Sequence, residues 1–196
     1  MTTVITPSVE SINKYLEKWN TLENYILQEQ SLNHLFRNLC PTNNKIEDVL
    51  LKVSALNDFY STNIFDTYTV AKHILNKNID SRLRNKDYSL INDIAKVTIK
   101  GKTRNFYSFA SKYCSHHKPN DFPIYDSFVE EMLMYYKKVH KFHKFKKKDL
   151  KSYDIFIEII STFQRFYSLS NFSLRQIDIF LWLAGKEFFP KNYKKA

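Results

Sequence analysis

Two residues set fourteen positions apart, Lys112 and Asp126, are where this chain could build covalent chemistry. They stand in KGKTRNFYSFASKYCSHHKPNDFPIYDSFVEEML, Lys100 to Leu133, which holds one of the chain's two glycines, two of its five prolines, an adjacent His pair and a knot of aromatics. A lysine walled by Phe106, Tyr107, Phe109 and Tyr113 would be partly desolvated, and desolvation lowers the pKa of an ammonium and frees the amine as a nucleophile. Lys102, Arg104 and Lys118 would push the same way. Asp126 follows the proline-bearing return KPNDFPIY and is placed to open a helix, where the dipole keeps a carboxylate ionised. A nucleophilic amine facing a fixed carboxylate suits attack at a sugar C1′ carbon through an oxocarbenium-like state. Without that partnership, Lys112 is a solvated lysine and Asp126 an N-cap worth about 1 kcal/mol.

The elements that must hold this pair read as helices throughout. Only two glycines, with apolar residues at helical spacing almost everywhere, predict an all-α fold in which strands have no obvious home. After Pro7 and a Ser8 cap, Ile12, Leu16, Trp19, Leu22 and Ile26 define one face of a first long helix, whose pattern runs on through Leu39 to Pro41. Asn44 followed by Glu47 resembles a capping box for a second helix with Ile46, Val49, Leu50, Val53 and Leu56 inward. The polar break Ser61-Thr62-Asn63 precedes a helix over about 66–75, residues 76–88 read as a loop, and Ser89 caps a helix carrying Leu90, Ile91, Ile94 and Val97. That helix is expected to turn near 98–101 or near 109–111, after which a second helix carries Lys112. Asp126 opens the next helix; two more run from Ser152 to Ser168 and from the Ser173 cap to Gly185.

The chain carries 30 Lys and Arg against 20 Asp and Glu, a formal charge of +10, which attracts polyanions and makes double-stranded DNA the natural partner. Residues 137–151 (KKVHKFHKFKKKDLK) interleave eight lysines and two histidines with Val139, Phe142 and Phe145, a pattern for a surface docked along a phosphate backbone rather than a loose tail. Cys40 and Cys114 have neither disulfide nor metal spacing, His116 and His117 diverge as helix neighbours, and no metal or cofactor is expected. No run of about 18 apolar residues and no signal-peptide pattern is present, so a cytoplasmic monomer away from membranes is expected.

The segment FASKYCSHHKPNDFPIYDSFV resembles the lysine-to-aspartate segment of the helix-hairpin-helix DNA glycosylases, in particular the 8-oxoguanine glycosylase branch. The resemblance covers roughly 99–133; the family's glycine pair is absent, and Ala110 and Ser111 stand where its hairpin turn would be. What the resemblance implies is one domain over 1–196 with two helical lobes, 1–45 plus 126–196 and 46–125, and a cleft between them that accepts a flipped-out base. Lys112 would be the Schiff-base nucleophile and Asp126 the carboxylate that stabilises positive charge, with strand cleavage by β-lyase chemistry following from the same adduct. Phe106, Tyr107, Tyr113, Phe128 and Trp182 would wall the base, with His116 and His117 orienting it or touching phosphate. Asn63, with its neighbours Ser61 and Thr62, would probe the gap left in the duplex. Lys100, Lys102, Arg104, Lys141, Lys144, Lys146 and Lys147 would contact DNA. The competing expectations are a catalytically silent helical DNA-binding protein and an interaction module whose charge reflects genomic composition.

Overall fold

A computed structural model describes residues 4–191; both ends of the 1–196 span lie outside the described residues. The chain is mainly helical, with ten α-helices and one two-stranded hairpin among the described residues. In order these are α1 (Val9–Trp19), α2 (Glu23–His34), α3 (Ile46–Tyr60), α4 (Thr67–Leu75), α5 (Ile79–Arg84), α6 (Leu90–Ala95), β1 (Lys96–Ile99), β2 (Lys102–Asn105), α7 (Tyr107–His117), α8 (Ser127–His140), α9 (Tyr153–Phe166) and α10 (Leu174–Phe188). A π-helical turn extends α2 over Leu35–Leu39, and a 3-10 turn, Lys147–Lys151, precedes α9.

Local chemistry sets most helix starts. Ser8 and Ser11 form a reciprocal capping box at α1, and Ser173 with Gln176 does the same at α10. Asp66 caps α4 by accepting from the Thr69 amide, and Asp126 caps α8 by accepting from the Phe128 and Val129 amides. Three expectations fail here. The first long helix is two, because the chain breaks at Asn20–Leu22 between α1 and α2. The cap of α3 is Lys45 with no side-chain bond, so Asn44 and Glu47 do not form the expected box. Residues 76–88 are not all loop, since α5 lies within them.

The larger correction is at residues 96–105. The helix opened at Ser89 lasts only to Ala95, and the chain then forms an antiparallel hairpin pairing Lys96 with Asn105 and Ile99 with Lys102. Lys100 (φ 47°) and Gly101 (φ 74°) both take left-handed backbone, as a type I′ turn requires, and glycine meets that demand without strain. Val97 is buried under the hairpin while the side chains of β2 face outward. The turn expected near 98–101 therefore exists as a strand turn, whereas Ala110 and Ser111 lie buried inside the unbroken helix α7 and make no turn at all.

The core forms where α1, α8 and α10 pack on one side, α3, α4, α6, α7 and β1 pack on the other, and α2 touches α3 and α7. Gly185 does not end α10; it lies within the helix, where an added Cβ would stand 2.7 Å from the Phe128 Cβ and 2.9 Å from its carbonyl oxygen. Glycine there lets α10 close on the start of α8. Gly185→Ala is expected to destabilise the protein by about 2 kcal/mol through overpacking, read as a lower denaturant midpoint with an unchanged m-value. An unchanged midpoint would mean that the two helices part at no cost. Among the described residues no helix is long and apolar enough to cross a membrane.

Candidate functional site

Lys112 sits in the second turn of α7 with only 5% of its surface exposed. Its Nζ donates to Ser108 Oγ, one turn back on the same helix, at 2.5 Å and stands 5.2 Å from the centre of the Tyr60 ring. Burial lowers its pKa below the ordinary lysine value, with the Asp126 and Asp178 carboxylates acting against that shift and Arg175 with it. No ion pair among the described residues includes Lys112, so Asp126 acts on it through the field rather than by contact. One Asp126 oxygen, Oδ1, holds the α8 amides at 2.9 and 3.0 Å; Oδ2 has no hydrogen bond to any of the described residues.

Both residues line one cavity of about 780 Å³, a size in the usual range for small-molecule sites, roughly 300–1,000 Å³. Its walls come from α1, α2, the end of α3, α7, the start of α8 and α10, so it opens between the two packed groups of helices. Phe106, Tyr107, Phe128 and Trp182, four of the expected base-walling residues, line it. Trp182 meets Trp19 and Tyr25 edge-on at 6.1 and 5.1 Å, and the Lys186 ammonium lies 4.5 Å above the Trp182 ring while donating to Tyr25 Oη at 2.8 Å.

Tyr113, His116 and His117 do not line the cavity: Tyr113 and His117 lie on other faces of α7 than Lys112, and His116, one turn on from Lys112, meets Tyr60 instead. His116 stands behind the wall: its Nε2 lies 3.1 Å from Tyr60 Oη, and burial pushes its pKa down to about 3, so the ring is neutral and positions Tyr60. Tyr113 and His117 belong to a second polar knot. There the buried Lys52 amine donates to the Cys40 and Thr42 carbonyls at 3.1 and 2.7 Å and to Asn43 Oδ1 at 2.7 Å, and Tyr113 Oη donates to that same oxygen at 2.6 Å. His117 Nε2 lies 3.2 Å from Asn43 Nδ2, which in turn donates to Asp80 Oδ1 at 2.6 Å. Burial lowers the Lys52 pKa to about 8, and with its acceptors in place the knot binds the loop after Pro41 to α3, α5 and α7.

The cavity also contains residues the sequence did not single out for it. Asp178, one turn before Trp182 on α10, is 5% exposed; its Oδ2 pairs with Arg175, and its Oδ1 is a buried side-chain oxygen with no hydrogen-bond partner among the described residues. Burial raises its pKa to about 7 although Arg175 pulls the other way. Arg175 also pairs with Glu29 at 2.6 Å, so this guanidinium is committed inside the wall. At the other end, Lys147 pairs with Glu130 at 2.8 Å and Glu130 accepts from Tyr125, which takes Lys147 out of the set of free phosphate contacts.

Of the other expected DNA contacts, Lys100, Lys102 and Arg104 are exposed on the hairpin, and Lys141, Lys144 and Lys146 are exposed on the segment that follows α8. Phe142 and Phe145 in that segment are buried, which docks it against the body. Asn63 is exposed in left-handed backbone (φ 58°), and its neighbours Ser61 and Thr62 reach the cavity lining. Among the described residues no group of three or more His, Cys, Asp or Glu side chains could hold a metal ion.

No solved structure matches the chain. A Haemophilus influenzae protein, named only as an uncharacterized protein, is 53% identical over 148 residues, 75% of this chain and 71% of that protein. Residues 11–121, which include Lys112 and stop short of Asp126, match the HI_0787_N family, described as an N-terminal domain, and the chain belongs to that family.

Proposed function

We propose that the protein is a DNA N-glycosylase that draws a damaged or modified nucleotide out of a duplex and attacks its sugar with Lys112. What carries this reading is a desolvated lysine and a fixed carboxylate facing one aromatic-walled cavity between two groups of helices. The unprotonated amine adds to C1′ as the C1′–N bond breaks; the bonding pair leaves with the base, and the proton lost by the amine neutralises it. Asp126 stabilises the positive charge that develops on the sugar, most directly through the oxygen not spent on the α8 amides. Opening of the sugar ring leaves a Schiff base on Lys112, from which β-elimination breaks the strand.

Two further observations support a base as the guest. Aromatic rings at Phe106, Tyr107, Phe128 and Trp182 can return part of the stacking lost on flipping, which costs a few kcal/mol. The Asp178 oxygen without a donor suits a base edge that offers N–H or NH2 groups, since a buried acceptor left unmade is costly.

The experiment is a panel of duplexes, each carrying one damaged or modified base, incubated with the wild-type protein in borohydride. A trapped protein–DNA band on one or a few members, with release of that base, is the expected result. No band and no release across the panel, with salt-sensitive DNA binding retained, would overturn it and leave a binding protein that uses the same basic hairpin.

A further inference from the structure

Tyr60, the last residue of α3, lies across one turn of α7 and meets two of its residues at once. The centre of its ring is 5.2 Å from the Lys112 amine, and its hydroxyl oxygen is 3.1 Å from His116 Nε2. Behind His116 the chain of contacts continues into the wall. His116 Nδ1 stands 3.3 Å from Asn33 Oδ1 on α2, and that oxygen accepts from Arg37 Nη2 at 3.0 Å. Arg37 Nε donates to the His116 carbonyl at 3.1 Å.

These contacts fix where each proton sits. A guanidinium only donates, so Asn33 offers its oxygen, and the His116 nitrogen facing that oxygen carries the hydrogen. Burial keeps the imidazole neutral, which leaves Nε2 bare and accepting. Burial also raises the Tyr60 pKa, so Tyr60 stays a phenol and donates to Nε2. Donation therefore runs one way, from Tyr60 to His116 to Asn33, and ties α2, α3 and α7 together. Lys112 depends on the near end of this relay. Among the described residues its amine makes one hydrogen bond, to Ser108, so the Tyr60 ring face is the neighbour left to meet the charge of an ammonium only 5% exposed.

We propose that Tyr60 is a positioning residue for Lys112, held by His116 and Asn33 as a fixed platform that orients the amine and meets the positive charge its nitrogen acquires on adding to a sugar carbon. The inference rests on Lys112 as the nucleophile of the proposed reaction. It gives His116 a task that needs no contact with the guest: a neutral acceptor behind the wall that keeps the ring in place. The charged groups that also act on Lys112 are Asp126 at the start of α8 and Asp178 and Arg175 on α10, and each variant below leaves them unchanged.

The test is the titration of Lys112 itself in the full chain without DNA, followed by the 13Cε resonance that disappears in Lys112→Gln. A ring face favours the ammonium, so Tyr60→Leu should weaken proton binding by Lys112 about tenfold and move its titration to lower pH. Tyr60→Phe and His116→Leu each cut the tether and should move it the same way by a smaller step, and the double variant should move it no further than either alone. His116→Gln should restore the wild-type titration, because its side-chain oxygen can accept from Tyr60 while its amide donates to Asn33. On a duplex that the protein processes, the acid limb of base release should follow these shifts; a merely structural loss would lower the rate and leave the limb in place. A Lys112 titration unmoved in Tyr60→Leu would overturn the platform, and one unmoved in both Tyr60→Phe and His116→Leu would overturn the relay that holds it. The expected shifts in a protein that releases no base from any lesion would leave the platform standing and remove only the glycosylase.

Discussion

Lys112→Gln should abolish both the borohydride-trapped band and base release on every duplex that the wild-type protein processes, while the same exchange at Lys146, exposed beyond α8, should leave the band in place. Glutamine is one bond shorter but keeps a polar, hydrogen-bonding side chain at the same place on α7, so the nucleophilic amine is the group removed. A fold control accompanies the assay. Because burial lowers the Lys112 pKa, the unfolded state binds more protons than the native state in the alkaline range below the ordinary value of 10.5. Stability from this group therefore rises with pH across that window, and the glutamine variant should lack that rise in denaturation curves measured at successive pH values. A covalent band that persists in Lys112→Gln would place the nucleophile elsewhere and end the assignment.

Asp126→Asn is expected to lower base release by about a hundred- to a thousandfold, the scale of removing one preorganised electrostatic contact to a developing charge. Asparagine caps a helix about as well as aspartate, so α8 and overall stability should change by no more than a few tenths of a kcal/mol. Asp126→Ala, in contrast, should lose catalysis and about 1 kcal/mol of stability together. The exchange also has a signed effect on pH dependence. The Asp126 carboxylate favours the Lys112 ammonium, so removing its charge lowers the Lys112 pKa further, and the acid limb of the residual rate should move to lower pH. Near-normal rates in Asp126→Asn, or an acid limb that stays in place, would reduce this residue to its capping role.

Much of the fold was legible in the chain. Side-chain caps at Ser8, Asp66, Asp126 and Ser173 are local devices, and each opens a helix where its chemistry put it. The hairpin was missed although its signals were present: β-branched Val97, Thr98 and Ile99 run into Lys100-Gly101, but a chain so helical elsewhere drew that run into the helix from Ser89. Gly185 was misread because a glycine near a helix end most often stops the helix, whereas here it answers to Phe128 on another element, which no local pattern reveals. The same division runs through the site. Lys112 and Asp126 were singled out from type and spacing and four of the aromatics that line the cavity from the resemblance, but Asp178 gave no signal within a core helix until α10 was seen to face the cavity. Tyr113 and His117 failed because residues one and five positions on from Lys112 face elsewhere on a helix, and His116, a full turn on, because Tyr60 stands in front of it.

The cavity draws one wall from α1 and α2 and another from α10, so residues near the two ends of the chain must meet before it exists. During synthesis the hairpin and Lys112 emerge from the ribosome while Asp178 and Trp182 are still unmade. The basic hairpin is therefore made first and the enclosed hollow last, so a prematurely terminated chain would expose the hairpin's cations without a finished pocket.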